Sequence, residues 1–442
     1  MMSSAPSPSV GASSHPGNDL SALQEQVYRA LLTRLDVAHL AQLDRESLEM
    51  ELAISTMAIL ESQGTALRTD EIRRIVEAIR SEVLGYGPLD VLLNDPSVSD
   101  ILVNGATRVY VERGGRLQET EVRFRDDTHL RDVIDKIVAQ VGRRIDESSP
   151  MVDARLPDGS RVNAVLPPLA LDGPVLSIRK FVKDRLSLAD LIAKGSLVPP
   201  MGDFLAAVVR ARRNVVISGG TGSGKTTLLN MLSENIPPTE RIITIEDAAE
   251  LQLRQPHVVR LETRPPNLEG QGEVTQRDLV RNCLRMRPDR IILGEIRGAE
   301  ALDMLQAMNT GHDGSLVTVH ANSPTDAMSR IEMMVAMANV SLPPAVVKQT
   351  MASALHIVVQ VSRLSDGTRK VVGIHEVVGM KDNFIALQEL FRFEQRAVDE
   401  TGRVQGGFVS TGNRPQCLPL LRAQGLRVLD EWFRPQEYPL PT

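Results

Sequence analysis

Apolar residues recur at helical spacing over residues 20–84, as Leu23, Val27 and Leu31 and later as Ile72, Ile75 and Ile79, which predicts a small helical bundle. Gly85, Gly87 and Pro88 end that rhythm, and shorter alternating runs take over. Residues 100–103 (DILV) and 108–111 (RVYV) flank Asn104-Gly105, and a second turn at Gly114-Gly115 precedes residues 117–124. Leu130, Val133, Ile134, Ile137, Val138 and Val141 then share one face of a helix opened by Asp126 and Asp127. Residues 152–156 and 161–165 bracket Pro157-Asp158-Gly159 as a hairpin, and residues 175–181 form one more strand. The expected organisation is a disordered Ser/Pro/Gly-rich tail (1–19), the helical bundle (20–84), an α+β domain (85–183) and a linker with a short helix (184–201). From Gly202 onward the order strand, loop, helix repeats, the sign of a parallel sheet covered by helices, and this α/β domain is expected to run through residues 202–442. A helix past Pro344 leads to a hairpin of residues 357–361 and 370–378 around Asp366-Gly367, and the last stretch is mixed.

Composition narrows the function. With 50 basic and 56 acidic residues the net charge is -6, and aromatics are only 3%. A general nucleic-acid binder would carry a basic excess and stacking platforms, so no specific nucleic acid is expected. Two cysteines, Cys283 and Cys417, suit a reducing compartment, and Cys283 falls on a predicted helix with Leu279 and Met286 as core rather than in a zinc site. No apolar run approaches the length of a membrane span, and the tail lacks a signal-peptide core. The expectation is a cytoplasmic protein that meets a membrane through a partner.

The chemistry begins at residues 214–218 (NVVIS), a buried-strand run followed by Gly219-Gly220-Thr221-Gly222-Ser223-Gly224-Lys225-Thr226-Thr227 and then an apolar helix. This is G-x-x-x-x-G-K-T in its required context of strand, loop and helix. Glycines let backbone amides turn inward as an anion nest, and the helix aims its positive end at phosphate. Lys225 supplies a point charge at the β- and γ-phosphates, and the Thr226 hydroxyl can ligate Mg²⁺. ATP and Mg²⁺ are therefore the expected substrate and cofactor.

Three more strands end in candidate groups. Residues 241–245 close on Glu246, Asp247 and Glu250, whose carboxylates can hold Mg²⁺ or orient the attacking water. Residues 290–293 close on Glu295, which can polarise water or bind Mg²⁺. Residues 315–319 are bracketed by His312 and His320, read as a pair at one mouth of the strand that could sense the γ-phosphate. Arg143, Arg144, Arg155, Arg161 and Arg179 cluster in the α+β domain, and Arg285 and Arg287 precede the Glu295 strand; any of them could stabilise charge on the transferring phosphoryl group.

In this order the segments GGTGSGKTT, TIEDAAE, ILGEIRG and GHDGSLVTVHANSP resemble the Walker A, Asp box, Walker B and His box of the secretion ATPase superfamily of type II and type IV secretion and type IV pilus motors. The upstream stretches GYGPLDVLLNDPSVSDILVNG, VYVERGGRL and DARLPDGSRVNAVLPP resemble its CpaF branch, which powers tight-adherence (Flp) pilus assembly. The resemblance implies a RecA-like P-loop NTPase domain carried behind an α+β domain and an N-terminal helical segment. It also implies a homo-hexamer whose N-terminal domain closes over nucleotide, and an inner-membrane platform protein as partner. Carried over by position, Lys225 and Thr226 match the phosphate and Mg²⁺ residues, Glu250 the catalytic glutamate with Glu246 as second candidate, and Glu295 the Walker B glutamate. His312 and His320 match the His box, and Arg161, Arg179 and Arg285 match arginines that approach the γ-phosphate. A conjugation-type motor, a nucleotide-gated scaffold with little turnover and a nucleic-acid translocase stay open as alternatives.

Overall fold

The computed structural model describes residues 16–34, 44–63, 67–181, 186–266 and 271–439. Most of the tail expected at residues 1–19 lies outside them, but helix α1 (Pro16–Arg34) begins within that stretch. The chain divides into two compact units, residues 1–181 and 182–442.

In the first unit α1, α2 (Arg45–Ser62) and α3 (Thr69–Leu84) share a core of Val27, Leu31, Leu52, Ile59, Leu60, Ile75 and Ile79. A short helix, α4 (Asp90–Asn94), leads into six antiparallel strands: β1 (Val98–Asn104), β2 (Val109–Arg113), β3 (Arg116–Glu119), β4 (Met151–Arg155), β5 (Arg161–Val165) and β6 (Val175–Arg179). Their order is β3-β2-β1-β6-β5-β4. Helix α5 (Asp127–Gln140), capped by the Asp126 carboxylate accepting from the His129 amide, lays Leu130, Ile134, Ile137 and Val138 against Ile101, Val111, Val162 and Ile178. The helical bundle belongs to this same compact unit. Lys136 Nζ donates to the carbonyls at the end of α3 (Glu82 O, 3.1 Å; Val83 O, 2.8 Å), and His129 accepts the Arg125 amide at Nδ1, which leaves Nε2–H to donate to Glu82 at 2.9 Å.

In the second unit residues expected to be linker are core. Helix α6 (Leu188–Ala193) starts in a Ser187/Asp190 capping box, and Leu191, Leu197 and Val198 are buried with Met201 and Phe204 of α7 (Pro199–Arg210). Proline at the first helical turn starts α7 rather than breaking it. The strands β7 (Val215–Gly219), β8 (Ile242–Glu246), β9 (Val258–Glu262), β10 (Arg290–Ile296), β11 (Leu316–Val319) and β12 (Ile357–Arg363) form the parallel part, in the order β12-β7-β11-β10-β8-β9. From β12 the sheet continues antiparallel through β13 (Arg369–Lys381), β14 (Phe384–Val398), β15 (Val404–Ser410) and β16 (Gln436–Pro439). Helices α7 and α8 (Lys225–Ser233) cover one face. The other is covered by α9 (Gln276–Cys283), α10 (Glu300–Asn309), α11 (Pro324–Ala336) and α12 (Pro344–Ala354). This is a three-layer α/β domain with ligand-binding potential at the carboxyl ends of its parallel strands.

A buried polar network closes the opposite, amino-terminal edge. Asn214 Oδ1 accepts from the amides of Gly314 (2.7 Å) and Ser315 (2.9 Å), its Nδ2 donates to Ala354 O (2.7 Å), and its own amide donates to His356 Nδ1 (2.9 Å). Burial, with Arg213 beside it, pushes the His356 imidazole from 6.5 down to about 4. A base lowered by folding stabilises the native state above its unfolded value and loses that contribution as pH falls from 6.5 through about 4. Denaturant titrations at pH 7 and pH 5 are expected to differ by about 2 kcal/mol from this group, and His356→Gln, which keeps an acceptor, removes that part of the difference.

Candidate active site

Strand β7 is buried along its whole length and ends at Gly219. A Cβ there would lie 2.5 Å from Ser223 Oγ and from Val361 O, so only glycine passes. The loop turns back through left-handed φ values at Gly222 (+69°) and Gly224 (+97°), and α8 starts at Lys225 with no side chain capping its first amides. Uncapped amides at a helix start and an inward-turned glycine loop form a cradle that suits phosphate. Lys225 Nζ lies inside it, donating to Gly219 O and Gly220 O at 3.0 Å each. Burial and the nearby Arg297 lower the Lys225 pKa, against the opposing pull of Glu295. Ser223 Oγ donates to Gly220 O (2.8 Å), and Arg369 of β13, absent from the sequence reading, braces the loop from outside through Nε to Gly222 O (2.8 Å). Thr226 occupies the first turn of α8 beside Lys225.

The parallel register brings the ends of four strands together. Ile245 pairs with Leu293, Leu293 with Val317 and Val319 with Ser218, so Glu246, Glu295, His320 and Gly219 follow at one edge. Glu295 Oε1 is 4.0 Å from Lys225 Nζ. Its other oxygen accepts from Arg297 Nε at 2.6 Å, and Arg297 Nη1 also reaches Asp247 at 2.9 Å. Arg297 thus clasps the two acidic segments. Its position two residues past Glu295 was the only sequence signal for it.

Glu246 does not face the phosphate cradle as a free ligand. It is only 4% exposed, and one oxygen accepts the amides of Glu250 (2.7 Å) and Leu251 (2.9 Å). Burial raises its carboxyl to about 7, against the lowering by those amides. Glu246 is thus held by amides through one oxygen, and its other oxygen is buried without a hydrogen-bond partner. The two histidines are also separated. His320 follows β11 at the cradle edge, whereas His312 precedes it at the amino edge, where its carbonyl accepts from Ser315 Oγ (2.8 Å) and Ser315 O accepts from the Val215 amide (3.1 Å). Strand β11 stands between them, so they do not act as a pair. Arg285, exposed on the lead-in to the start of β10, lies at that same far edge, away from the cradle.

In the first unit, cross-strand register lines up Arg155 with Arg161, Arg161 with Arg179 and Arg179 with Asp100. Arg179 Nε donates to Asp100 Oδ1 at 3.1 Å. Three guanidiniums therefore share one row across the sheet with the Asp100 carboxylate.

Residues 82–404 match the family described as type II/IV secretion system protein. The chain belongs to that family. Its relatives include a Mycobacterium tuberculosis protein named for conjugal transfer, 38% identical over 73% of this chain and 97% of its own length. The type IV secretion system protein VirB11 of Brucella suis is 34% identical over 64% of this chain and 86% of its own length. Among solved structures, the Brucella suis VirB11 ATPase in complex with sulphate is 33% identical and covers 65% of this chain and 91% of that one, with a TM-score of 0.36. The Legionella pneumophila ATPase DotB is 22% identical, covering 65% and 78%, with a TM-score of 0.46.

Proposed function

We propose that this member of the secretion family is an ATP hydrolase that works as a homo-hexameric motor. It drives pilus assembly of the CpaF type and passes its motion to an inner-membrane platform protein. The observation that carries the reading is the cradle edge itself: the Lys225 ammonium inside the glycine loop, with the Glu295 carboxylate 4.0 Å away. Lys225 meets the terminal phosphates, and Glu250 takes the proton from the attacking water. Thr226 and Glu295 would hold Mg²⁺, which would neutralise phosphate charge. Arg161 and Arg179 are the first unit's guanidiniums suited to charge on the transferring group. Among the described residues no helix is long and apolar enough to cross a membrane, which fits attachment through a partner.

Glu250→Gln tests the chemistry. It is expected to bind Mg-ATP in calorimetry as the parent does while losing about 10²–10³-fold in phosphate release, as for removal of a positioned base. Binding and turnover both at parental values would overturn the assignment. Size exclusion coupled to activity tests the ring. The relatives named for conjugal transfer favour a second reading, a conjugation-type motor. A deletion strain that keeps its pili but loses DNA transfer would select it.

A further inference from the structure

The loop that follows β8 is held by its backbone. Four consecutive amides are captured by three side chains: Ala249 by Glu262 Oε2 (3.0 Å), Glu250 and Leu251 by Glu246 Oε2 (2.7 and 2.9 Å), and Gln252 by Asn230 Oδ1 (2.9 Å). Glu262 belongs to β9, Glu246 to β8, and Asn230 to α8, the helix that begins at Lys225. The Glu246 stem also crosses close above β10: a Cβ on Gly294 would come within 2.9 Å of its Cγ. Gly294 immediately precedes Glu295, so the Glu246 side chain lies over the glycine beside one proposed active carboxylate and holds the amide of the other. Its second oxygen is buried with no hydrogen-bond partner. A carboxyl so enclosed, with one oxygen on two consecutive amides, fixes where the following residues go.

We infer that Glu246, with Asn230, is a positioning residue for Glu250: it sets the height and direction of the 249–252 loop, and Asn230 ties that loop to the helix carrying Lys225. This rests on the reading of Glu250 as the base for water attack. The geometry makes the loop a rigid part of the cradle, so that a shift of the phosphate helix is felt by the base through a single hydrogen bond.

The test compares Glu246→Gln, Glu246→Ala and Asn230→Ala in the full chain, with thermal unfolding recorded for each. The readouts are kcat, the KM for Mg-ATP and the Mg²⁺ concentration for half-maximal rate. Glutamine keeps an oxygen that accepts the two amides, so Glu246→Gln is expected to retain kcat within about threefold, whereas Glu246→Ala and Asn230→Ala lose about 10–100-fold, the cost of misplacing a reacting group by an ångström. KM and the Mg²⁺ requirement stay at parental values in all three. Asn230→Ala removes no buried acid and carries the test should Glu246→Ala fail to fold. A raised Mg²⁺ requirement in Glu246→Gln, kcat as low in Glu246→Gln as in Glu246→Ala, or unchanged kcat in Asn230→Ala would each overturn the proposal while the ATPase reading stands. Parental turnover in Glu250→Gln would overturn that reading, and this proposal with it.

Discussion

Lys225→Ala is expected to lower ATP turnover by at least about 10²–10³-fold, the range for deleting a charge aimed at the transition state, and to leave the fold intact. The Lys225 ammonium donates to Gly219 O and Gly220 O and lies 4.0 Å from Glu295, so its bonds are all made within the cradle and none supports the core. Burial lowers its pKa, so the charge is held in a partly desolvated site where it acts more strongly on a phosphoryl group than it would in water. Lys225→Arg is expected to fail as well, because a planar fork does not replace a compact ammonium inside a loop closed by Gly219 and Gly224. Phosphate release measured beside a thermal melt decides it. Turnover within about twofold of the parent, on the scale where such a deletion costs 10²-fold or more, would mean that the glycine loop is not the site.

The parts of the chain that were plain in its residues are those whose burial is uniform. Strands β7 and β8 are continuous apolar runs because both of their faces are covered, and β10 is apolar up to the polar end that carries Glu295. The α5 stripe was equally visible. Of the antiparallel extension only the first hairpin, β12–β13, was visible. Strand β14 is mostly half-exposed, and its Arg392 is answered by Glu389 at 3.2 Å and by Glu394 two residues on, so polarity that reads as loop is satisfied within the sheet. The short helix expected within residues 184–201 is α6, and tertiary burial of Leu197 and Val198 carries the segment that follows it into the core, where Pro199 starts α7. At the cradle, residue types and spacing located the loop and the strand-end carboxylates. They could not tell which oxygen turns to phosphate and which to amides, because that depends on Gly294 of a neighbouring strand leaving room for Glu246. The separation of His312 from His320 was hidden likewise, since a strand of only Leu316–Val319 brings its two flanks close in sequence while holding them at opposite edges.

Arg290→Met is expected to cost about 3–5 kcal/mol of stability, the penalty for breaking a buried ion pair by removing one partner. Arg290 is fully buried at the start of β10. Its Nε donates to Glu240, and its Nη1 donates to Val209 O (2.9 Å) and Gly314 O (3.0 Å). Methionine fills much of the volume but leaves both carbonyls without that donor and Glu240 with only the more distant Arg212, at 3.8 Å. Lysine does not rescue it, because one ammonium cannot serve a carboxylate and two carbonyls lying in different directions. Gly314→Ala attacks the same contact from the other side: its φ is +82°, and its Cβ would fall 1.9 Å from Arg290 Nη1. Both variants are expected to lower the denaturant midpoint together while the KM of the folded fraction stays parental, since β10 delivers Glu295 at its far end and Arg290 touches nothing at the cradle. An unchanged midpoint in Arg290→Met would show that the guanidinium is dispensable to the packing of the amino edge, and a changed KM would show that the two ends of β10 are mechanically coupled.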